Sequence, residues 1–342
     1  MVRMDELLKA QEKSLLGKIK TYKAVAQELK QHLEKKPDDW GRFQSIFNQE
    51  INAIFRDLML FEQDCLATGD EASVYKLKSL FMSRLQKEFM YGDYGVWSLN
   101  KPYGYAGDFK IIDDIYRNDP QTHGFARLMD NYFQASAISV AVRNRKEDFK
   151  EIILSVVKAR NGQQLKIMDL ASGPCREIQE LLKGDLKGHA GVTFDCYDQD
   201  ENAWNYAKNL LREGAARVKF IKENVVRIAL KKNIDEQMPQ KYDLIYSTGL
   251  FDYLDKRIAT RLVANLRKML KPDSVLAISD VREKYKNPSV HYMEWVGDWN
   301  LVYRSDEEFR KIFLDAGFSE NELSYGADQQ GLLQYIIANI KA

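Results

Sequence analysis

The chain has 342 residues, 45% of them hydrophobic, which is enough to bury a large core in about two domains. Its 51 Lys and Arg residues balance 50 Asp and Glu residues. No basic surplus or stripe is visible, which argues against a nucleic-acid partner. No apolar run approaches the roughly 18 residues of a membrane span, and acidic residues interrupt the N-terminus where a signal peptide would be apolar. We therefore expect a cytoplasmic protein.

The chain has three cysteines, Cys65, Cys175 and Cys196. An odd number of thiols in a chain of this length does not suggest a disulfide framework. No CxxC pair or Cys/His spacing typical of zinc accompanies them. The expectation is reduced, buried thiols and no metal site.

Up to about residue 160 the apolar residues recur at helical spacing. Stripes over 15–33, 43–58 and 74–89 predict three helices, and helical character returns over 109–117 and from about 125 to 160. Residues 91–108 interrupt this pattern with four glycines, one proline and several aromatic residues, which predicts a structured loop. Residues 1–140 are therefore predicted to form a helical N-terminal cap.

From about residue 163, short apolar runs that predict strands alternate with helical stretches. This alternation predicts a mainly parallel α/β sheet over residues 141–342. The strand candidates are 165–170, 192–197, 218–221, 242–246 and 274–279, and the helix candidates are 176–182, 201–211 and 256–270. Two further strands, 322–325 and 332–337, are separated by a loop too short for a helical crossover, so the last strand should be antiparallel.

The loop after the first predicted strand runs from Asp169 to Cys175. Its small residues would let a ligand approach the backbone at the carboxyl edge of the sheet, where open α/β sheets bind ligands. A dinucleotide-binding loop needs G-x-G-x-x-G, but Ala171, Gly173 and Arg176 occupy those positions. The dinucleotide fingerprint therefore fails.

The same loop resembles motif I of class I S-adenosylmethionine methyltransferases, an acidic residue followed by alternating glycines. Asp169 matches the acid and Gly173 the central glycine, while Ala171 and Cys175 stand where glycines are usual. The resemblance implies a Rossmann-like fold, S-adenosylmethionine as cofactor, and Ala171, Ser172 and Gly173 beside the methionine part of that cofactor.

The second strand ends in Tyr197-Asp198-Gln199, which resembles motif II of that family. A carboxylate there can accept two hydrogen bonds from a ribose diol, and charge-assisted bonds are the stronger kind. The resemblance assigns this role to Asp198 and places Gln199 beside the adenosine. The alternative is that Asp198 only caps the next helix, a role that suits Asp200 better.

Two later segments complete the set in the order that the family has. Asn224 and Val225 resemble the segment that holds adenine through a polar side chain and the next backbone N–H. Ser247, Thr248 and Gly249 resemble motif IV, which passes beneath the methionine part.

The flanking segments 101–108 and 293–304 resemble a narrower bacterial subgroup. It includes proteins assigned to the synthesis of 3-hydroxypalmitic acid methyl ester. It is also related to enzymes that cyclise S-adenosylmethionine into azetidine-2-carboxylate. The resemblance indicates a subgroup and leaves the substrate open.

Tyr103, Tyr105 and Asp108 are predicted to form a lid over cofactor and substrate, with Tyr105 and Asp108 as catalytic candidates and Tyr103 as a substrate contact. Tyrosine rings can hold a sulfonium by cation–π attraction, and Asp108 could receive the methionine ammonium. The alternative is a glycine-rich turn that joins two helices, with the tyrosines filling gaps.

The remaining candidates follow from position in the chain. Arg145 is predicted to bind the cofactor carboxylate and Arg143 an acidic substrate, unless both are solvated on their helix. His291 is a catalytic candidate, with a surface histidine as the alternative, and no general base is assigned. Tyr253, Trp295 and Arg304 are predicted to line the acceptor pocket, or to pack on the sheet edge.

The sequence thus predicts methyl transfer from S-adenosylmethionine to a small molecule, such as a carboxylate or hydroxy-fatty acid, with S-adenosylhomocysteine as the product. The predicted assembly is a monomer or homodimer. Two alternatives stay open: cyclisation of the cofactor with release of methylthioadenosine, and a non-catalytic S-adenosylmethionine-binding scaffold.

Overall fold

A computed structural model describes residues 2–160 and 162–341 of the chain. It divides into two compact units, Met1–Ser139 with Asn287–Asn300, and Val140–Lys286 with Leu301–Ala342. The segment 287–300 differs from the predicted division, which placed it in the α/β domain. Its aromatic residues pack on helices of the first unit: the rings of Tyr292 and Phe55 lie 5.9 Å apart, and those of Trp295 and Phe81 5.5 Å apart.

The first unit is helical and has an aromatic core. Its helices are α1 (Val2–Lys35), α2 (Trp40–Ala67), α3 (Glu71–Leu85), α4 (Asp93–Asn100), α5 (Phe109–Arg117) and α6 (Gly124–Ala135), and it also holds a π-helical turn, Tyr292–Val296. Tyr22, Phe47, Phe81 and Phe89 are almost fully buried. The helical stripes read from the sequence are therefore packing faces. The unit boundary falls after the first turn of α7 (Ala137–Ala159).

Helix α4 lies inside the segment that the sequence predicted as a loop. Its first two backbone N–H groups, of Asp93 and Tyr94, each donate to the Asp130 carboxylate at 3.1 Å. Gly92 precedes the helix at φ 84°, and a Cβ there would lie 2.5 Å from Asp130 Oδ1. The N-cap thus comes from α6, 37 residues away in sequence, and no local pattern signals it.

Among the residues that the structure describes, none of the helices combines the length and apolar character that crossing a membrane requires.

The second unit is a doubly wound α/β fold around a seven-stranded sheet of order β3-β2-β1-β4-β5-β7-β6. The strands are β1 (Leu165–Leu170), β2 (Val192–Asp198), β3 (Val218–Lys222), β4 (Tyr242–Ser247), β5 (Leu270–Val281), β6 (Leu323–Ala327) and β7 (Leu333–Asn339). The first five pair in parallel, whereas β7 is antiparallel to both β5 and β6. The predicted fold class, including the antiparallel last strand, is confirmed.

The helices of this unit cover the sheet and explain its apolar strands. They are the rest of α7, α8 (Arg176–Lys183), α9 (Glu201–Leu211), α10 (Val225–Leu230), α11 (Ile234–Gln237), α12 (Lys256–Lys268) and α13 (Asp306–Asp315). Every residue of β4 is buried, as expected for a central parallel strand covered on both faces. The winding reverses between β1 and β4, which makes the carboxyl ends of these strands the expected ligand site.

Candidate functional site

The turn after β1, residues 171–175, has an unusual backbone. Ala171, Gly173 and Cys175 lie in the left-handed region, at φ 58°, 51° and 52°. Residues with a side chain adopt this conformation at a cost of about 1–2 kcal/mol. The turn therefore has three left-handed residues, a conformation that suits glycine, although two of the three, Ala171 and Cys175, carry a Cβ. A Cβ on Gly173 would meet no described atom within 4 Å, so the space above that residue is open.

Asp198, at the carboxyl end of β2, binds this turn directly. Its Oδ2 accepts a hydrogen bond from the Gly173 N–H at 3.0 Å, and its Oδ1 accepts one from the Asp200 N–H at 2.9 Å. An ionised carboxylate offers about four acceptor sites, so these bonds leave acceptor capacity for a ligand. Burial raises the pKa of Asp198, partly offset by these N–H donors. Asp200 caps α9, so Asp198 is not needed for that role.

The ends of β2 and β3 are joined by two amide side chains. Asn224 Nδ2 donates to Gln199 Oε1 at 2.7 Å. Asn224 also caps α10, because its Oδ1 accepts from the N–H groups of Val226 and Arg227 at 2.9 and 3.3 Å. Gln199 is exposed, and Asn224 and Val225 are half-buried. The structure thus brings together the residues predicted to contact the adenosine.

A buried acidic group lies beneath the turn. Asp169 is 2% exposed, and its Oδ2 has no hydrogen-bond partner among the described residues. Burial, followed by the charge of Glu177, raises the pKa of Asp169 well above its usual value. Tyr246, on β4, donates to Glu177 Oε1 at 3.0 Å. Sequence reasoning missed Glu177; its place in the first turn of α8, directly after the loop, was the only signal available.

Two thiols complete this layer. Cys175 on the turn and Cys196 on β2 are fully buried, with their sulfur atoms 3.8 Å apart. Burial raises the pKa of Cys196 well above its usual value. Both are buried, as predicted, and the structure has them as free cysteines.

The loop after β4 is held by hydrogen bonds to the neighbouring strands β1 and β5. Ser247 is fully buried, and its Oγ donates to the Leu170 carbonyl at 2.6 Å, which ties β4 to β1. Thr248 and Gly249 are half-buried. Gly249 has φ 84° and its N–H donates to Ser279 Oγ at 3.2 Å. A Cβ there would lie 3.2 Å from both terminal nitrogens of Arg145. This position therefore favours glycine for two reasons, its positive φ and the close approach of Arg145.

Arg145 is buried rather than solvated, and it lies 3.7 Å from the Asp252 carboxylate. Arg143 is half-buried, and burial lowers the pKa of its guanidinium. The alternative in which both arginines are exposed on their helix is therefore wrong. Tyr253, in the short helical turn Phe251–Tyr253, is exposed.

Arg304 is an internal clamp. Its Nη1 donates to Asp280 Oδ1 at 2.8 Å and to the Phe251 carbonyl at 2.9 Å, and its Nη2 donates to the Leu254 carbonyl. Both Arg304 and Asp280 are buried. With three of its five N–H donors bonded inside the unit, Arg304 fixes the loop after β4. These contacts do not support the predicted contact with a substrate.

The profile of a methyltransferase-domain family matches residues 161–338, more than half of the chain. The chain belongs to this family. Membership confirms the predicted class, an S-adenosylmethionine-dependent methyltransferase, and with it the predicted cofactor.

Comparison with solved structures gives one with the same fold and others that are less similar. A possible exported protein from Bordetella parapertussis is 18% identical, with a TM-score of 0.56, and covers 69% of this chain and 80% of its own. Magnesium protoporphyrin IX methyltransferase from Synechocystis PCC 6803, solved with S-adenosylhomocysteine, is 15% identical, with a TM-score of 0.47. The match covers 67% of this chain and 94% of that protein's chain. No curated protein sequence matches the chain.

The methyltransferase domain has a turn that fits its cofactor. Asp198 keeps acceptor sites for hydroxyl groups, and the space above Gly173 is open. The buried Ser172 Oγ has no hydrogen-bond partner in the described parts of the chain. A ligand with hydroxyl, amine and carboxylate groups suits this combination.

The predicted lid residues lie in the helical unit, outside the methyltransferase domain. Asp108 caps α5, accepting from the N–H groups of Lys110 and Ile111 at 2.9 and 3.0 Å, and it also accepts from Trp97 Nε1 at 2.9 Å. Tyr103 packs on Phe109, with ring centroids 4.6 Å apart. These contacts agree with a turn that joins two helices. Tyr103 and Tyr105 keep 37% of their surface exposed, and their role as a lid stays a prediction.

His291 also belongs to the helical unit and is 1% exposed, so the alternative of a surface histidine is wrong. Its Nε2 lies 2.9 Å from Glu62 Oε2, and its ring meets Trp295 edge-on at 4.9 Å. Trp295 in turn packs on Phe81 in the core of that unit. These contacts account for His291 and Trp295 as part of the packing of the helical unit. The catalytic role of His291 and the substrate contact of Trp295 stay predictions.

Proposed function

We propose that this protein transfers the methyl group of S-adenosylmethionine to a small-molecule acceptor. The observation that carries the proposal is the hydrogen bond between Gly173 N–H and the Asp198 carboxylate, because it joins the turn after β1 to the acid that ends β2. The turn lies where the winding reverses and the acid ends the neighbouring strand, so together they suit a cofactor at the carboxyl edge of the sheet.

Each part of the edge has a distinct binding task. Asp198 accepts hydrogen bonds from the ribose hydroxyls, and Gln199, Asn224 and the Val225 N–H hold the adenine. Residues 171–173, with Asp169 beneath them, and 247–249 pass the methionine part. Arg145 faces Gly249 and supplies a positive charge for the cofactor carboxylate.

When bound, the cofactor supplies an activated methyl group on a sulfonium. The protein then has to position an acceptor in line with that methyl group and exclude water, and positioning alone contributes several kcal/mol, on the order of 7–11 in favourable cases. The clamped loop after β4 suits this task, since Asp252 Oδ1 accepts from the Val281 N–H at 2.8 Å and Arg304 holds the carbonyls on either side.

We propose a carboxylate acceptor, such as a hydroxy-fatty acid that becomes a methyl ester. A carboxylate is a nucleophile that needs no general base, so it does not require one among the side chains described above. We assign recognition of this carboxylate to the half-buried Arg143, because a guanidinium can donate two parallel hydrogen bonds to a carboxylate.

The test is mass spectrometry of the products after incubation of the full chain with S-adenosylmethionine and candidate acids, 3-hydroxypalmitate among them. Formation of S-adenosylhomocysteine together with a methyl ester supports the proposal. Methylthioadenosine would instead show intramolecular cyclisation, and an unconsumed but bound cofactor would show a scaffold. Asp198→Ala should abolish turnover, whereas the exposed neighbour Glu201→Gln should retain it.

A further inference from the structure

Three side chains that commonly bind metals meet beneath the turn after β1. The ligand atoms of Asp169, Cys175 and Cys196 all lie within 4.8 Å of one another, and all three residues are buried. They come from the end of β1, the last residue of the turn and the middle of β2, so only the folded sheet brings them together. Sequence spacing could not reveal this set.

We propose that this cluster binds one thiophilic divalent ion, of which Zn²⁺ is the natural choice and Cd²⁺ a spectroscopic probe. The cluster shares Asp169 with the proposed cofactor site, but the inference does not rest on methyl transfer, and its test needs no cofactor. The two sulfur atoms are 3.8 Å apart. Two thiolates at the usual Zn–S distance of about 2.3 Å in a tetrahedral site would also lie about 3.8 Å apart. The Asp169 carboxylate supplies the third ligand.

A second observation concerns a carboxylate oxygen of this cluster that has no hydrogen-bond partner among the described residues. Asp169 is 2% exposed, and no residue in 2–160 or 162–341 forms a hydrogen bond with its Oδ2. A buried carboxylate oxygen without a partner is rare in folded proteins, and a bound ion is one recognised explanation for such an oxygen. The adjoining Glu177, which accepts from Tyr246 at 3.0 Å, makes the surroundings acidic and so favours a cation.

Binding has a defined proton balance. Every ligand must be deprotonated to bind the ion, so Cys175 and Cys196 each release one proton, as does the Asp169 carboxyl where it is protonated, and affinity should rise with pH. The chain also contains its own control: Cys65 is fully buried in the helical unit and is not part of a metal-ligating group among the described residues.

The experiment titrates the metal-free full chain with Cd²⁺ and follows the thiolate-to-cadmium absorption in the near ultraviolet. A parallel Zn²⁺ titration competes against a chromophoric chelator. We expect one ion per chain, tighter binding at higher pH, and a metal-dependent rise in the unfolding temperature. Cys196→Ser and Cys175→Gly should lose the absorption band, and Cys65→Ser should keep it.

Cys175→Gly is chosen because glycine suits the φ of 52° at that position, so the variant should fold. Circular dichroism verifies folding of each variant. Absence of a one-to-one band in the folded wild type would overturn the proposal. So would a band that persists without Cys175, or one that disappears with Cys65.

Discussion

The two halves of the carboxyl edge of the sheet use polar residues in opposite ways. At the ends of β2 and β3, Asp198, Gln199 and Asn224 are half-buried or exposed, and Asp198 keeps acceptor sites. Beyond β4 and β5, the charged groups of Arg304 and Asp280 are buried and paired with each other. The first half leaves polar groups accessible to a ligand, whereas in the second half this charged pair is used to hold a loop in place.

The largest effect is expected in the second half, from Arg304→Met. Removal of the guanidinium leaves the buried Asp280 carboxylate without its partner, and its Oδ2 already lacks one among the described residues. Breaking a buried pair on one side costs about 3–5 kcal/mol. We expect a fall of that size in the free energy of unfolding, measured with denaturant.

The stability loss in Arg304→Met should depend on pH in a defined direction. Burial already raises the pKa of Asp280, and Arg304 opposes that shift. A carboxyl group whose folded pKa lies above its unfolded value loses stability as pH rises. The defect of the variant should therefore grow with pH. Lys222→Gln, which breaks an exposed pair with Glu201, should leave stability unchanged. A pH-independent loss would show that packing, and not charge, explains the role of Arg304.

In the first half the largest effect should fall on binding. Asp198→Ala removes an acceptor for two charge-assisted hydrogen bonds of about 1.5–3 kcal/mol each, so the Kd for S-adenosylhomocysteine should rise by roughly 100-fold or more. Calorimetry of the variant measures it, and Glu201→Gln serves as the control.

The same residue predicts how binding responds to pH. Since burial raises the pKa of Asp198, affinity should begin to fall, on acidification, at a higher pH than an ordinary carboxyl would give. An affinity that is unchanged in Asp198→Ala would remove this residue from the site.

The contrast between the halves also marks what the sequence could predict. Strand ends, the antiparallel β7 and the acid that ends β2 follow from local periodicity and spacing. These features are dictated by neighbours along the chain or by the common direction of parallel strands. The places of Gly173 and Asp198 at the carboxyl edge of the sheet were therefore predictable, whereas the hydrogen bond between them is seen only in the structure.

Features fixed by distant partners were not predictable. Arg304 has the appearance of a substrate ligand until Asp280 and the Phe251 carbonyl are seen beside it. The cap of α4 comes from Asp130, and His291 is explained by Glu62, 229 residues away. In each case the sequence shows a polar residue, and only the fold shows what it pairs with.

A smaller effect is expected at Asn224, which serves both as a helix cap and as a predicted adenine contact. Asn224→Ala loses the cap, worth about 0.5–2 kcal/mol, together with the bond to Gln199. Asn224→Asp keeps a capping oxygen but loses the amide donor. We therefore expect the Ala variant to be less stable than the Asp variant, with both binding S-adenosylhomocysteine about tenfold more weakly. Wild-type affinity in Asn224→Asp would show that the residue is only a cap.

The smallest effect tests the turn that the two halves share. Ala171 holds φ at 58°, where a Cβ is strained, so Ala171→Gly should stabilise the protein by up to about 1 kcal/mol. The control is Ala264→Gly within α12, where glycine should cost about 0.5–1 kcal/mol. Opposite signs for the same substitution, measured by thermal unfolding, would locate the strain in the turn. If both variants lost stability alike, the left-handed backbone at Ala171 would carry no strain that glycine relieves, and the turn would depend on its alanine for packing.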